Sequence, residues 1–216
     1  MKMDILLRKQ PKTVILANGE KPSHAIPLQI LKNATQLICC DGAISFLEQQ
    51  NITPHIIIGD CDSITPEQKE RYKSIIREDN SVDYNDLQKA LKYCIEAGCE
   101  NVTILGASGW RDDHFLANIG IVMHYANRLS ITMITNYGIF TPINSTTTFE
   151  SHPGQQISIF SFTPEAEITF HGLKYPVLKQ KFKELWEGSL NEAVTHAFTI
   201  ELEEDAAVLV YGAFCV

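Results

Sequence analysis

The 216 residues read as an α/β chain: an N-terminal open, mostly parallel α/β sheet domain followed by a small C-terminal antiparallel β-sandwich. Two observations carry that reading. Through the first two thirds, short apolar runs alternate with segments whose apolar residues recur every three or four positions. After about residue 138 that helical spacing stops, and short alternating runs follow one another between turn residues. The length exceeds one ordinary domain of about 100–150 residues and agrees with two unequal parts, taken as 1–140 and 141–216.

The apolar run at 13–17 ends at the turn pair Asn18-Gly19, and that at 37–40 closes on Asp41-Gly42. The run at 56–58 closes on Gly59-Asp60, the run at 102–105 enters Gly106, and 131–135 follows. Runs this short and apolar on both faces fit parallel strands buried between helices. Leu87, Ala90, Leu91, Cys94 and Ile95 mark a helix with Gly98 as its stop. Phe115, Ile119, Val122 and Met123 mark a second, ending near Asn127. Beyond a boundary near residues 137–142, alternating runs at 146–149, 157–160, 168–170, 198–200 and 208–211 are separated by Pro153-Gly154, Pro164 and Gly172.

Composition narrows the function classes. With 44% hydrophobic and 20% charged residues, the chain is not a disordered one. The longest uncharged apolar runs are strand-sized, so no membrane-spanning helix is expected. Lys2, Asp4, Arg8, Lys9 and Lys12 leave no apolar stretch for a secretory signal, which predicts a cytoplasmic protein. A net charge of -8 with no basic arm argues against nucleic acid as a partner, because phosphate neutralisation needs clustered Lys and Arg. Residues 1–140 hold 14 Lys and Arg against 16 Asp and Glu, whereas 141–216 hold 4 against 10, so the acidity lies mostly in the last third. That excess either steers a cationic partner or only solvates the surface. The six cysteines, Cys39, Cys40, Cys61, Cys94, Cys99 and Cys215, form no zinc spacing and read as reduced, mostly buried thiols.

Ligands of open α/β sheets bind beyond the carboxyl ends of the strands. Asp41, Asp60 and Gly106 take such positions. Asp60 and Asp62, one residue apart after a strand and a glycine, are suited to converge on a hard cation such as Mg²⁺; the plain alternative is a loop with two solvated aspartates. Asp83 to Asp86 stand at a helix entry, where one aspartate can cap while another faces a site. Lys89, one turn on, reaches a phosphate or solvates the helix. Residues 106–114 carry a Gly/Ser loop, Arg111, Asp112, Asp113 and His114 at a helix start, a place where backbone N–H groups meet anions. Taken together, carboxylates from several strand ends, an arginine and a glycine-bearing loop describe metal-assisted phosphoryl chemistry.

On these residues the sequence resembles the thiamin pyrophosphokinase family across nearly its whole length. The matching stretches are Asp41-Gly42-Ala43, then Gly59-Asp60-Cys61-Asp62-Ser63, then Asn85-Asp86-Leu87-Gln88-Lys89-Ala90-Leu91. They continue as residues 109–119, with Gly109, Arg111, Asp113, His114 and Asn118, and as Gly172-Leu173-Lys174-Tyr175. The resemblance implies a homodimer of an α/β ATP-binding part and a β-sandwich, moving the pyrophosphoryl unit of ATP to the thiamin hydroxyl with release of AMP. By the same resemblance Asp60, Asp62 and Asp86 bind Mg²⁺, and Arg111 and Asp113 complete the catalytic set. Asp41, Gly42, Ser63, Lys89, Gly109, Arg111, His114 and Asn118 are assigned to ATP. Thiamin is expected near the subunit interface, against Tyr175, Trp186, Ser189 and Asn191. The chain departs from the family at Ala43 and Ser45 for Gly and Asn, Asn85 for Thr, Trp110 for the second Gly of Gly-Gly-Arg, and Ser189-Leu190-Asn191 for the Ser-Asn pair. Two other classes use related parts: a nucleotide-sugar glycosyltransferase with a metal-binding Asp-x-Asp, and a non-catalytic thiamin or nucleotide sensor.

Overall fold

The computed structural model describes residues 12–214. Lys2, Asp4, Arg8 and Lys9 at one end and Cys215 at the other lie outside them. The described residues divide into two compact units, 12–136 and 137–214.

The first unit runs β1 (Thr13–Leu16), α1 (Ala25–Lys32), β2 (Gln36–Cys40), α2 (Ile44–Gln49), β3 (Ile56–Gly59), α3 (Pro66–Tyr72), β4 (Ile76–Glu78), α4 (Asp86–Glu96), β5 (Asn101–Leu105), α5 (Asp112–Tyr125) and β6 (Ser130–Ile134). Its strands lie in the order β6-β5-β1-β2-β3-β4, with every adjacent pair parallel. Val14, Ile15 and Leu16 of the central strand are wholly buried. That is why this run shows no polar alternation in sequence. The chain lays down β1 to β4 in one direction, then returns to place β5 on the far side of β1. The order therefore reverses between β1 and β5, the place where such sheets open a crevice at their carboxyl ends.

Helix α4 carries a capping box at its start, in which Asn85 Oδ1 accepts from the Gln88 N–H at 2.9 Å and Gln88 returns to the Asn85 N–H. Helices α1 and α3 escape the periodicity reading because they are short, of 8 and 7 residues. Helix α3 nevertheless has a legible start, Thr65 with Pro66 and Gln68, which forms a capping box in the structure.

The second unit runs β7 (Gly138–Ile143), β8 (Thr147–Glu150), β9 (Gln156–Ser161), β10 (Glu167–His171), β11 (Gln180–Lys181), β12 (Gly188–Glu192), β13 (Ala197–Leu202) and β14 (Val208–Ala213). Antiparallel pairing gives the orders β12-β9-β14-β7 and β11-β10-β13-β8. The two faces share one core that includes Ile157, Ile159 and Val210 from the first set and Phe149, Phe170 and Phe198 from the second. The boundary read from sequence near residues 137–142 falls largely within strand β7, and the division lies between Asn136 and Tyr137. Gly138 serves close approach: a Cβ there would lie 2.5 Å from the Gly212 carbonyl oxygen. Among the described residues no helix is long and apolar enough to cross a membrane, and the described cysteines are free thiols.

Phe198 is 2% exposed and stacks on Phe149 with ring centroids 5.1 Å apart. Phe198→Ala is expected to cost about 3–5 kcal/mol of unfolding free energy, read as a lower denaturant midpoint at unchanged slope.

Candidate active site

Strand β2 ends at Cys40, and the chain turns at once through a 3₁₀ turn over Asp41–Ala43. Asp41 opens it with φ +36, a left-handed conformation that Asp tolerates better than most residues. Its carboxylate is buried, with the residue 3% exposed. One oxygen, Oδ2, accepts from the Ser63 N–H at 3.3 Å. The other, Oδ1, has no hydrogen-bond partner among the described residues. Burial pushes this carboxyl above its ordinary range, with the nearby charges of Asp60 and Asp62 adding to the rise against the Ser63 bonds.

The loop after β3 brings the other acids to the same place. Asp60 Oδ1 accepts from the Asp62 N–H at 3.2 Å, and Asp62 Oδ1 accepts from the Ser63 hydroxyl at 2.8 Å. That hydroxyl holds the Asp62 carboxyl below its usual range. One oxygen each from Asp41, Asp60 and Asp62 lies within 4.8 Å of the others. Three hard oxygen donors, one buried with an unpartnered oxygen and two open to solvent, suit Mg²⁺, which keeps water and phosphate in its shell.

Asp86, the third ligand expected from sequence, sits just beyond this group. Its carboxylate is 30% exposed and meets the Lys89 ammonium at 3.2 Å, and the Lys89 side chain is 3% exposed. Burial raises the Asp86 carboxyl and Lys89 opposes the rise. Gly59 lies where the acid after β2 meets the first acid of α4. A Cβ at Gly59 would lie 2.8 Å from Cβ of Asp41 and 3.2 Å from Oδ1 of Asp86. Gly42 is crowded likewise, 2.8 Å from Asn18 Nδ2 and 2.9 Å from Cβ of Ser63.

At the end of β5, Gly106 and Gly109 take φ +68 and +71 and lead into α5. Arg111 precedes that helix without a side-chain cap bond, and within the first turn the Asp113 carboxylate accepts from the His114 N–H. The guanidinium binds Asp113 in a two-pronged pair, Nε to Oδ1 at 2.9 Å and Nη2 to Oδ2 at 2.7 Å. Arg111 holds the Asp113 carboxyl well below the usual carboxylate range. The pair is exposed, so its value is orientation of the guanidinium rather than stability. His114 is also exposed. Asn118 is buried, donating to the Ala107 carbonyl at 2.9 Å and accepting from Asn85 at 3.4 Å. It ties the glycine loop to the cap of α4.

Sequence reasoning passed over the loop after β1. There the Gly19 N–H donates to the Gly106 carbonyl at 2.7 Å and the Glu20 N–H to the Ser108 carbonyl at 2.7 Å, lacing the two loops across the switch point. Lys21, half-buried, donates to Asn18 Oδ1 at 2.6 Å and lies 5.2 Å from the centroid of the Trp110 ring. Burial lowers its ammonium pKa. The signal was the turn pair Asn18-Gly19 at a strand end, read only as punctuation.

The residues assigned to thiamin lie in the second unit. Asn191 is 4% exposed and bonds both ways to the Tyr175 backbone, accepting at 3.1 Å and donating at 2.9 Å. The Ser189 hydroxyl donates to the Trp186 carbonyl at 2.6 Å. The Tyr175 and Trp186 side chains are exposed, and Leu190 between Ser189 and Asn191 has φ +58. Asn191 thus shapes the segment that presents Tyr175.

Comparison with known proteins covers both units. Residues 28–134 match the sequence profile described as thiamin pyrophosphokinase, catalytic domain, and residues 138–211 match thiamin pyrophosphokinase, substrate-binding domain. Thiamine pyrophosphokinase 1 of Oryza sativa subsp. japonica is 30% identical over 138 residues, 56% of this chain and 52% of that protein. Thiamine pyrophosphokinase of Bacillus subtilis (strain 168) is 28% identical over 144 residues, 63% of this chain and 67% of that protein. The match therefore spans about half the length of the rice relative. Among solved structures, thiamine pyrophosphokinase from Bacillus subtilis superposes with a TM-score of 0.80 at 22% identity, covering 94% of this chain and 99% of that one. Thiamin pyrophosphokinase from Candida albicans gives 0.81 at 17% identity, covering 95% and 90%. With both of its units matched by the family's two domains, the chain belongs to the thiamin pyrophosphokinase family.

Proposed function

We propose that the protein is a thiamin pyrophosphokinase, transferring the pyrophosphoryl group of ATP to the hydroxyl of thiamin to give thiamin diphosphate and AMP. The observation that carries the reading is the meeting of Asp41, Asp60 and Asp62 oxygens within 4.8 Å of one another at the carboxyl ends of β2 and β3. Family membership selects this chemistry over a glycosyltransferase or a sensor.

Asp60 and Asp62, with Asp41 behind them and Asp86 across Gly59, are the residues that would hold Mg²⁺. Bound there, the ion supplies charge neutralisation of the phosphate chain. The remaining roles belong to side chains of this protein. Arg111, oriented by Asp113, meets negative charge on the phosphates. Lys89 opposes the rise that burial imposes on the Asp86 carboxyl. In the reaction the thiamin oxygen bonds to the β-phosphorus, the bond from that phosphorus to the AMP oxygen breaks, and the hydroxyl proton leaves to a carboxylate or to water. Residues 1–140 serve nucleotide and metal in this reading, and 141–216 meet thiamin through Tyr175 and Trp186, whose aromatic faces suit a cationic ring. The working form is a cytoplasmic homodimer with thiamin near the subunit interface, which sedimentation with and without thiamin tests.

Incubation with ATP, Mg²⁺ and thiamin is expected to yield AMP and thiamin diphosphate in equal amounts on chromatography. ADP as the product, or a requirement for a sugar nucleotide, contradicts the reading. Asp60→Asn and Asp62→Asn are each expected to lower turnover by about 10²- to 10⁴-fold, as the loss of several kcal/mol of metal-ion catalysis requires. Turnover near that of the unaltered protein removes the metal assignment.

The pH dependence follows from burial. Asp41 and Asp86 both have carboxyls raised above the ordinary range, so protons compete for them at higher pH than for an exposed acid. At subsaturating Mg²⁺, kcat/KM is expected to fall as pH is lowered, beginning above the usual carboxylate range. Lys89→Met removes the charge that opposes the rise at Asp86 and is expected to move this limb to still higher pH. A limb left in place argues against Asp86 in the site.

A further inference from the structure

Trp110 stands out among the groups that the reaction above does not use. It is the central residue of a three-residue turn closed by the Arg111 N–H on the Gly109 carbonyl at 2.7 Å, and its φ is +61. That is the rare and strained hand of such a turn, unfavourable for a bulky side chain. Despite the strain the indole is not packed away, since the residue is 71% exposed. It is held from one side by the Lys21 ammonium, 5.2 Å from the ring centroid.

Through Lys21 the ring is tied to the loop after β1, which lies beside Gly42 together with Ser63. Lys21 bonds Asn18 at 2.6 Å. Asn18 Nδ2 is 2.8 Å from the position a Cβ would take on Gly42, and Ser63 Cβ is 2.9 Å from that same position. The Ser63 N–H then bonds the buried carboxylate of Asp41. All of these residues lie within the first unit, on the loops after β1, β2, β3 and β5 that flank the sheet's switch point. A ligand whose phosphates meet the carboxylates and Arg111 has its uncharged end free to reach an open aromatic face beside them.

We propose that Trp110 is the platform on which the base of the bound nucleotide stacks, with Lys21 fixing the ring from its opposite side. The proposal rests on the nucleotide-binding reading given above and adds to it the residue that recognises the base. An indole face accepts any base, so the platform supplies affinity for a nucleoside and little choice between purines. Arg111 and the carboxylates act on phosphate alone, so base and phosphate recognition are separable.

Titration calorimetry with Mg²⁺ and two ligands, ATP and inorganic tripolyphosphate, separates them. Glycine accepts φ +61 freely, so Trp110→Gly removes the ring without disturbing the turn. The expected result is a loss of ATP affinity of roughly 5- to 150-fold, the range of one base–aromatic stack, with tripolyphosphate affinity unchanged. Trp110→Phe is expected to recover most of the ATP affinity. Equal weakening of both ligands, or of neither, overturns the platform while leaving the nucleotide site standing. A wild-type protein that binds neither ligand overturns the nucleotide reading and the platform with it.

Discussion

Everything at the site depends on the bare α-carbon of Gly59. It ends β3 against two acids from other elements, and a Cβ there would meet both the Asp41 Cβ and the Asp86 carboxylate, which leaves no room for a side chain. Because nothing projects there, the 3₁₀ turn after β2, the loop after β3 and the start of α4 close on one point. A methyl group at this position would push apart the groups whose proximity gives the site its chemistry.

That proximity is electrostatically costly. Asp41 is buried with one oxygen unpartnered, and Asp60 and Asp62 stand beside it. Asp86 is shielded by burial and answered by the Lys89 ammonium. Like charges gathered in this way disfavour ionisation unless a cation joins them. The fold supplies one fixed cation to the outer acid and leaves the inner three to a mobile one, the division of labour that phosphate chemistry needs. The Arg111–Asp113 pair at the start of α5 offers a further positive group without burying it.

Much of this was legible in the chain. Three of the five buried runs are followed directly by a glycine or an aspartate, and that change from apolar to turn residues places Asp41, Asp60 and Gly106 at strand ends. A helix start at residues 83–86 is local and so readable, but its cap is Asn85 rather than an aspartate. Lys89, read as reaching a phosphate or solvating the helix, is instead buried against Asp86. What sequence did not disclose depends on contacts between distant segments. Lys21 and Asn18 acquire their place only because β5 returns to pair with β1, bringing Gly19 against Gly106. That an Asp41 oxygen lies within 4.8 Å of oxygens of Asp60 and Asp62 depends on how the turn after β2 meets the loop after β3, which no spacing reveals. Strand β7 is missed because residues 137–142 read as the boundary between the two parts, although Gly138 admits its neighbour across the sheet.

Gly59→Ala, compared with the unaltered protein for Mg²⁺-dependent ATP binding and for circular dichroism, tests the convergence of the acids most directly. A retained far-ultraviolet spectrum with Mg²⁺-dependent ATP affinity lowered at least about tenfold, equivalent to about 1.4 kcal/mol, is the result expected if Gly59 sets the spacing. Unchanged affinity and unchanged AMP release in a folded Gly59→Ala protein would contradict it.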